Sequence, residues 1–302
     1  MEEAIHISHL FKSYAETKAV DDLNMKVHQG EFFAFLGENG AGKSTTIHIM
    51  TCQLKKDSGS IRILNHDIDQ DADSVKKSIG VVFQDSYLDK ELTVKDNLET
   101  RASLYRIYKK ELRERIEELN QLIEFKSLLK KTVGKVSGGQ RRKIDIIRAL
   151  LHKPRILILD EPTTGLDPQT RRQIWNALSK LRKEQNMTIF LTTHYMEEAE
   201  SADEILILNR GKVAAFGSPS ELKRRYSKDS LNLYQVNEAD VRKLNLPYRK
   251  VQDHYQITVK DSAMVTDLIL KQSEIFRDYE IIKGNMDDVF LSVTGKKMEV
   301  SL

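Results

Sequence analysis

The apolar positions fall into three textures along the chain. The first is a set of short, almost unbroken apolar runs: Glu31–Leu36, Ile79–Phe83, Ile156–Leu159, Met187–Thr192 and Ile205–Leu208. Runs with no polar alternation have both faces apolar, which predicts strands of a parallel sheet covered on each side. Ile5–Tyr14 alternates loosely and Ala19–Val27 ends before Gly30, so both are expected as edge strands leading into that sheet. The second texture runs from Thr93 to Leu129, where apolar residues recur every three or four positions between acidic and basic ones. That spacing predicts two or three helices, an insertion long for an ordinary crossover. Two further helices follow, one with Ile144, Ile147, Leu150 and Leu151 on its apolar face, the other over Arg171–Lys183 with Trp175 and Leu178 as its buried stripe. Ile205–Pro219 then predicts a strand, an Arg-Gly turn and a second strand.

The third texture begins after Pro219. Strand candidates Leu231–Val236, Tyr255–Val259 and Arg277–Lys283 alternate with helix candidates Ala239–Leu244 and Ala263–Lys271, and Met286–Gly295 closes as a short helix. The expected class is therefore α/β, with residues 1–220 as a main domain and 221–302 as a small α+β accessory domain.

Composition narrows the class. Of 302 residues, 31 % are charged, and mean hydropathy is -0.47. The longest apolar runs fall far short of the ~20 residues that span a bilayer. Glu2 and Glu3 stand where a secretory signal would be basic, with no long apolar core behind them, so none is expected. Lone Cys52 excludes an internal disulfide and a cysteine metal cluster. A formal charge of +3 gives little support for nucleic-acid binding.

The candidate chemistry sits where the apolar runs end. After the run to Leu36 come Gly37, Gly40 and Gly42, then Lys43, Ser44 and Thr45 and a helical pattern. This G-x-x-x-x-G-K-S spacing between strand and helix is a phosphate loop: glycines let backbone N–H groups wrap an anion, Lys43 reaches the β- and γ-phosphates, and the Ser44 hydroxyl ligates Mg²⁺. Gln84 follows Ile79–Phe83 at the ligand edge of a parallel sheet, where its amide can touch Mg²⁺ or a water, or simply end a strand. Ile156–Leu159 ends in Asp160 and Glu161, one suited to Mg²⁺ and the other to polarising a water for attack on the γ-phosphate. His194 lies just past Met187–Thr192, able to hold a phosphate or a water, or to serve structurally. Ser137, Gly138, Gly139 and Gln140 open a helix as a second anion cradle. One nucleotide needs one cradle, so the second points to head-to-tail pairing of two copies. The basic run Arg141–Lys143 is expected as an exposed helical face. Asp167 is expected to cap the helix that Pro168 begins. Trp175 is expected in the core, and Tyr14 either as a surface-strand tyrosine or as a ring for a nucleobase.

In order and spacing these segments resemble the ATP-binding subunit of an ABC transporter. Gly37–Thr45 resembles its Walker A motif, which brings in Asn39, Gly40 and Ala41, and Val136–Gln140 (VSGGQ) resembles its signature motif with Val136 in place of leucine. Ile156–Glu161 resembles Walker B, Gln84 the Q-loop glutamine, Asp167 the D-loop aspartate, His194 the switch histidine and Tyr14 the base-stacking aromatic. The resemblance covers roughly residues 4–220 and implies a P-loop NTPase core with an N-terminal antiparallel β part and a helical subdomain at about 88–150. It implies ATP and Mg²⁺ as cofactors, with Ser44, Gln84 and Asp160 at the metal, and Glu161 and His194 promoting hydrolysis. It also implies a second nucleotide-binding subunit, expected to be identical, that supplies Ser137–Gln140. The partner it implies is a separate membrane permease at the cytoplasmic face, with no nucleic acid. The tail through Asp287–Gly295 resembles that of bacterial drug and antibiotic exporters, so export of a drug, antibiotic, lipid or other hydrophobic compound is expected. The alternatives are a regulatory or sensing role with a permease, or a soluble translation or repair role.

Overall fold

The computed structural model describes residues 2–295, which divide into two compact units between Phe216 and Gly217. The first unit opens with β1 (Glu3–Tyr14) and β2 (Thr17–His28), an antiparallel pair, followed by the wholly buried β3 (Phe32–Gly37). Helix α1 (Lys43–Met50) follows β3 after the loop of residues 38–42. Next come β4 (Ser58–Ile63), the two-residue β5 (His66–Asp67), α2 (Ala72–Ser78) and β6 (Ile79–Val82). The helical insertion is α3 (Val94–Ser103) and α4 (Lys109–Leu122), succeeded by α5 (Gly138–Leu150). The unit continues with β7 (Ile156–Asp160), α6 (Pro168–Gln185), β8 (Thr188–Thr192), α7 (Met196–Ala199), β9 (Glu204–Asn209) and β10 (Lys212–Gly217).

Two sheets share one core. The larger runs β10-β9-β3-β8-β7-β6, and its β9, β3, β8, β7 and β6 pair in parallel. The smaller runs β2-β1-β4-β5. Strand β1 is therefore interior, flanked by β2 and β4, and not the edge strand its alternation predicts: Ile5 and Ile7 pair with Ile63 and Ile61 as well as with Val27 and Met25. Those isoleucines pack with Phe33, Phe35, Ile47, Ile158 and Phe190 in a single buried cluster. Each such side chain contributes about 1.5–3 kcal/mol by leaving water, so the cluster fixes how α1 and the ends of β3, β7 and β8 lie. Parallel strands with one polarity bring their C-terminal ends to a common edge. Gly37, Asp160 and Thr192 all stand there.

The second unit contains α8 (Pro219–Tyr226), β11 (Asp229–Tyr234), α9 (Glu238–Lys243), β12 (Tyr248–Val251), β13 (His254–Val259), α10 (Ser262–Lys271), β14 (Tyr279–Ile282) and α11 (Met286–Thr294). The order β12-β13-β11-β14 with antiparallel neighbours is a βαββαβ, ferredoxin-like arrangement. Its core is Leu231, Leu233, Ile257 and Val259 from the sheet with Val241 and Val265 from α9 and α10. Strand β12 has no counterpart in the sequence reading, because the exposed Arg249 and Lys250 break the apolar run.

Candidate active site

Helix α1 starts at Lys43 with Gly42 as its N-cap and no side chain capping it. The first turn therefore offers its backbone N–H groups to a ligand. Gly42 adopts φ 109°, and a Cβ there would come within 2.2 Å of the Ala19 carbonyl oxygen, so the tight loop admits only glycine. Asn39, Gly40 and Ser44 are exposed, Ala41 is buried, and Thr45 is half-buried. Lys43 is 6 % exposed and folds back over its own loop, donating to Gly37 O at 2.6 Å and Glu38 O at 3.1 Å. Burial pushes its pKa down, while Glu161, Asp160 and Glu38 pull it up. A triphosphate in the loop would give this buried ammonium a directly bonded anion.

The exits of β6, β7 and β8 converge. Asp160, 5 % exposed, accepts a hydrogen bond from Thr192 Oγ1, and burial with the neighbouring Glu161 raises its pKa. Glu161 takes a left-handed φ of 46°, which turns the chain off the line of β7. Its Oε2 receives Gln84 Nε2 at 3.1 Å and Thr164 Oγ1 at 3.4 Å, and lies 3.4 Å from His194 Nδ1. Gln84, Glu161 and His194, separated widely in sequence, thus form one cluster.

Ser137 caps α5 through a capping box with Gln140: Gln140 N donates to Ser137 Oγ at 3.3 Å and Ser137 N donates to Gln140 Oε1 at 3.1 Å. The side chain of Gln140 is thus engaged by its own helix. Gly139 lies against Thr170, whereas a Cβ on Gly138 would meet nothing within 4 Å. Asp167 caps α6, accepting from Thr170 N at 2.9 Å and Thr170 Oγ1 at 2.6 Å, with Pro168 at the first helical position. Tyr14 ends β1, paired with Thr17, and is 49 % exposed with Lys12 Nζ 5.8 Å from its ring centroid.

Two readings need correction. The run Arg141–Lys143 is not an exposed face, because Arg142 is 7 % exposed and its guanidinium donates to the carbonyls of Phe83, Gln84, Asp160, Glu161 and Pro162. Trp175 is only half-buried: its ring lies 5.6 Å from Phe32 and its Nε1 donates to Glu198 at 3.2 Å. Glu198, buried, also accepts from Thr163 and from Thr193 Oγ1, the latter at 2.7 Å beside His194. Arg142, Thr192 and Glu198 are the site-supporting residues that the sequence reading missed. The Thr-Thr before His194 and the acid four residues after it were the available signal.

Comparison with known proteins gives the family. Residues 20–164 match the ABC transporter family. The daunorubicin resistance ATP-binding protein DrrA3 of Streptomyces coeruleorubidus is 34% identical over 310 residues, covering 98% of both chains. The Nod factor export ATP-binding protein I of Rhizobium sp. (strain N33) is 33% identical over 300 residues, again covering 98% of each. A dimeric ATP-binding cassette in its post-hydrolysis state, bound to ADP and Pi, superposes with a TM-score of 0.65 at 30% identity, covering 71% of this chain and 98% of that one. A second solved structure, cbiO1 from Clostridium perfringens, part of an ABC transporter complex, gives a TM-score of 0.67 at 31% identity over 74% of this chain and 91% of its own. The chain belongs to the ABC transporter family as an ATP-binding subunit, and it is an ATPase.

Proposed function

We propose that two copies of this chain close head to tail around ATP, and that the cycle drives a separate membrane permease exporting a hydrophobic compound. In each site Gly37–Thr45 of one copy holds the triphosphate, Tyr14 stacks on the base, and Ser137–Gln140 with Asp167 of the other copy completes the enclosure. The observation that carries the two-copy reading is Gly138. It sits in the first turn of α5, where an added Cβ would meet nothing within 4 Å beyond its own helix and φ is not left-handed, so nothing inside its own subunit requires glycine. Glycine is a poor helix former, and an approaching phosphate would explain its presence.

The donor set at the β7 edge fits Mg²⁺: the Ser44 hydroxyl, the Asp160 carboxylate and the Gln84 amide are hard oxygen ligands. Among the described residues no group of three or more His, Cys, Asp or Glu could hold a metal ion. The nucleotide phosphates and water would therefore complete the shell. When bound, Mg²⁺ neutralises charge on the β- and γ-phosphates. Lys43 binds the same phosphates, and the α1 N-terminus stabilises them. Glu161 Oε2, already accepting from Gln84, accepts the proton of the attacking water. His194, 3.4 Å from that oxygen, keeps Glu161 aimed and can hold the γ-phosphate.

Export is supported by the two relatives named for daunorubicin resistance and Nod factor export, which match nearly end to end. Among the described residues no helix is long and apolar enough to cross a membrane. A separate permease would therefore provide the path and hold this subunit at the cytoplasmic face. Exposed Tyr87, Leu104 and Tyr108, near Gln84 and on the helical insertion, offer apolar contacts for it. Co-expression with a candidate multi-span permease tests this. Co-purification and ATP turnover stimulated by a hydrophobic substrate are expected; failure of both with every permease tried would contradict the export role.

A further inference from the structure

Arg142 lies on α5, five residues after the Ser137 cap. A buried guanidinium with no direct carboxylate bond is costly unless its donors are filled. Here Nε donates to Pro162 O at 2.6 Å, one terminal nitrogen to Phe83 O and to Gln84 O at 3.4 Å, and the other to Asp160 O at 3.0 Å and Glu161 O at 2.7 Å. These carbonyls belong to two segments, the exits of β6 and β7, whose side chains Gln84 and Glu161 are themselves hydrogen-bonded. Three consecutive carbonyls, 160 to 162, bracket the left-handed φ of Glu161. Such a backbone persists only where its surroundings over-determine it. A planar fork with five donors can grip both segments at once; a lysine's point charge cannot.

We propose that Arg142 is the positioning residue that sets Glu161 and Gln84 against each other and ties them rigidly to the Ser137–Gly139 turn of its own helix. Resting on the two-copy reading above, contact of that turn with the partner's nucleotide is then transmitted through one residue to the water-activating carboxylate of its own subunit.

The test uses the purified full chain with Arg142→Lys and Arg142→Met. ATP affinity, read with a fluorescent ATP analogue, is expected to stay within about threefold, while kcat falls at least about 30-fold in Arg142→Met and by less in Arg142→Lys. If kcat stays within about twofold in both, or if kcat and ATP-binding capacity fall in proportion, the proposal is overturned. Should Arg142→Met fail to fold, amide hydrogen exchange in nucleotide-free Arg142→Lys decides. Exchange at residues 84, 85, 161, 163 and 164 should quicken at least about tenfold with β3 and β9 unchanged, and equal exchange everywhere overturns the proposal. Because this arm needs neither ATP nor a dimer, its failure is distinct from failure of the two-copy function, which would appear as a wild-type chain that never dimerises.

Discussion

Gln84 Nε2 donates to Glu161 Oε2 across 3.1 Å, joining the exits of β6 and β7, which are neighbours in the sheet but 77 residues apart in sequence. The amide spends its donor on the carboxylate, and its carbonyl oxygen remains the end suited to a metal. The bond also fixes the direction in which the Glu161 carboxylate points. Replacing Gln84 by Glu places a second carboxylate where this donor was. Like charges at hydrogen-bond distance repel, so the carboxylate is driven off the position this bond holds. Steady-state turnover of Gln84→Glu is expected to fall about tenfold or more at neutral pH, and Gln84→Ala to fall less. Equal losses in both would mean that charge at this position does not matter.

Gly138 separates fold from function. Its open surroundings mean that Gly138→Asp should fold as the parent does, with a melting temperature within about 2 °C. A carboxylate facing a phosphate should nevertheless abolish ATP-dependent association and cut turnover at least about 100-fold. Gly42→Ala is the contrast: its Cβ would collide with the Ala19 carbonyl inside the subunit, so both stability and ATP binding should fall.

Two buried groups oppose one another in pH dependence. Burial pushes Asp145 up to about 6, against the bond it accepts from Ser86 Oγ at 2.9 Å. The native state keeps this proton where the unfolded chain has lost it, so Asp145 adds stability at low pH that disappears as pH rises from about 4 to 6. Burial pushes His152, stacked on Tyr105 at 3.9 Å, down to about 4. The unfolded chain takes up that proton first, so His152 removes stability as pH falls from about 6.5 to 4. Each is worth about 3 kcal/mol, and the two nearly cancel. Relative to wild type, Asp145→Asn should lose stability between pH 7 and 4.5, and His152→Gln should gain it, as read by urea unfolding. Parallel curves for all three proteins would refute the opposed pair.

The strands and their terminal chemistry were legible because burial on both faces leaves a continuous apolar signature that ends where charge appears: Leu36 before Gly37, Leu159 before Asp160. The cap at Asp167 was legible because capping is local, set by Pro168 and Thr170. Arg142 was not, since three basic residues on a helix look solvated, and its burial is decided by carbonyls on two distant segments. The interior place of β1 depends on pairing with β4, and the edge strand β12 carries exposed charges, so neither leaves a local signature. Trp175 sits at the margin of the core because its indole N–H donates to Glu198.

Sedimentation of Glu161→Gln with and without Mg-ATP tests whether hydrolysis needs a site completed by a second copy and depends on Glu161. Removing the base while keeping the phosphate loop should leave ATP bound and turnover reduced at least about 100-fold, with the chain shifting from monomer to dimer when ATP is added. A variant that stays monomeric at saturating ATP, or that hydrolyses within about twofold of the parent, would contradict the account.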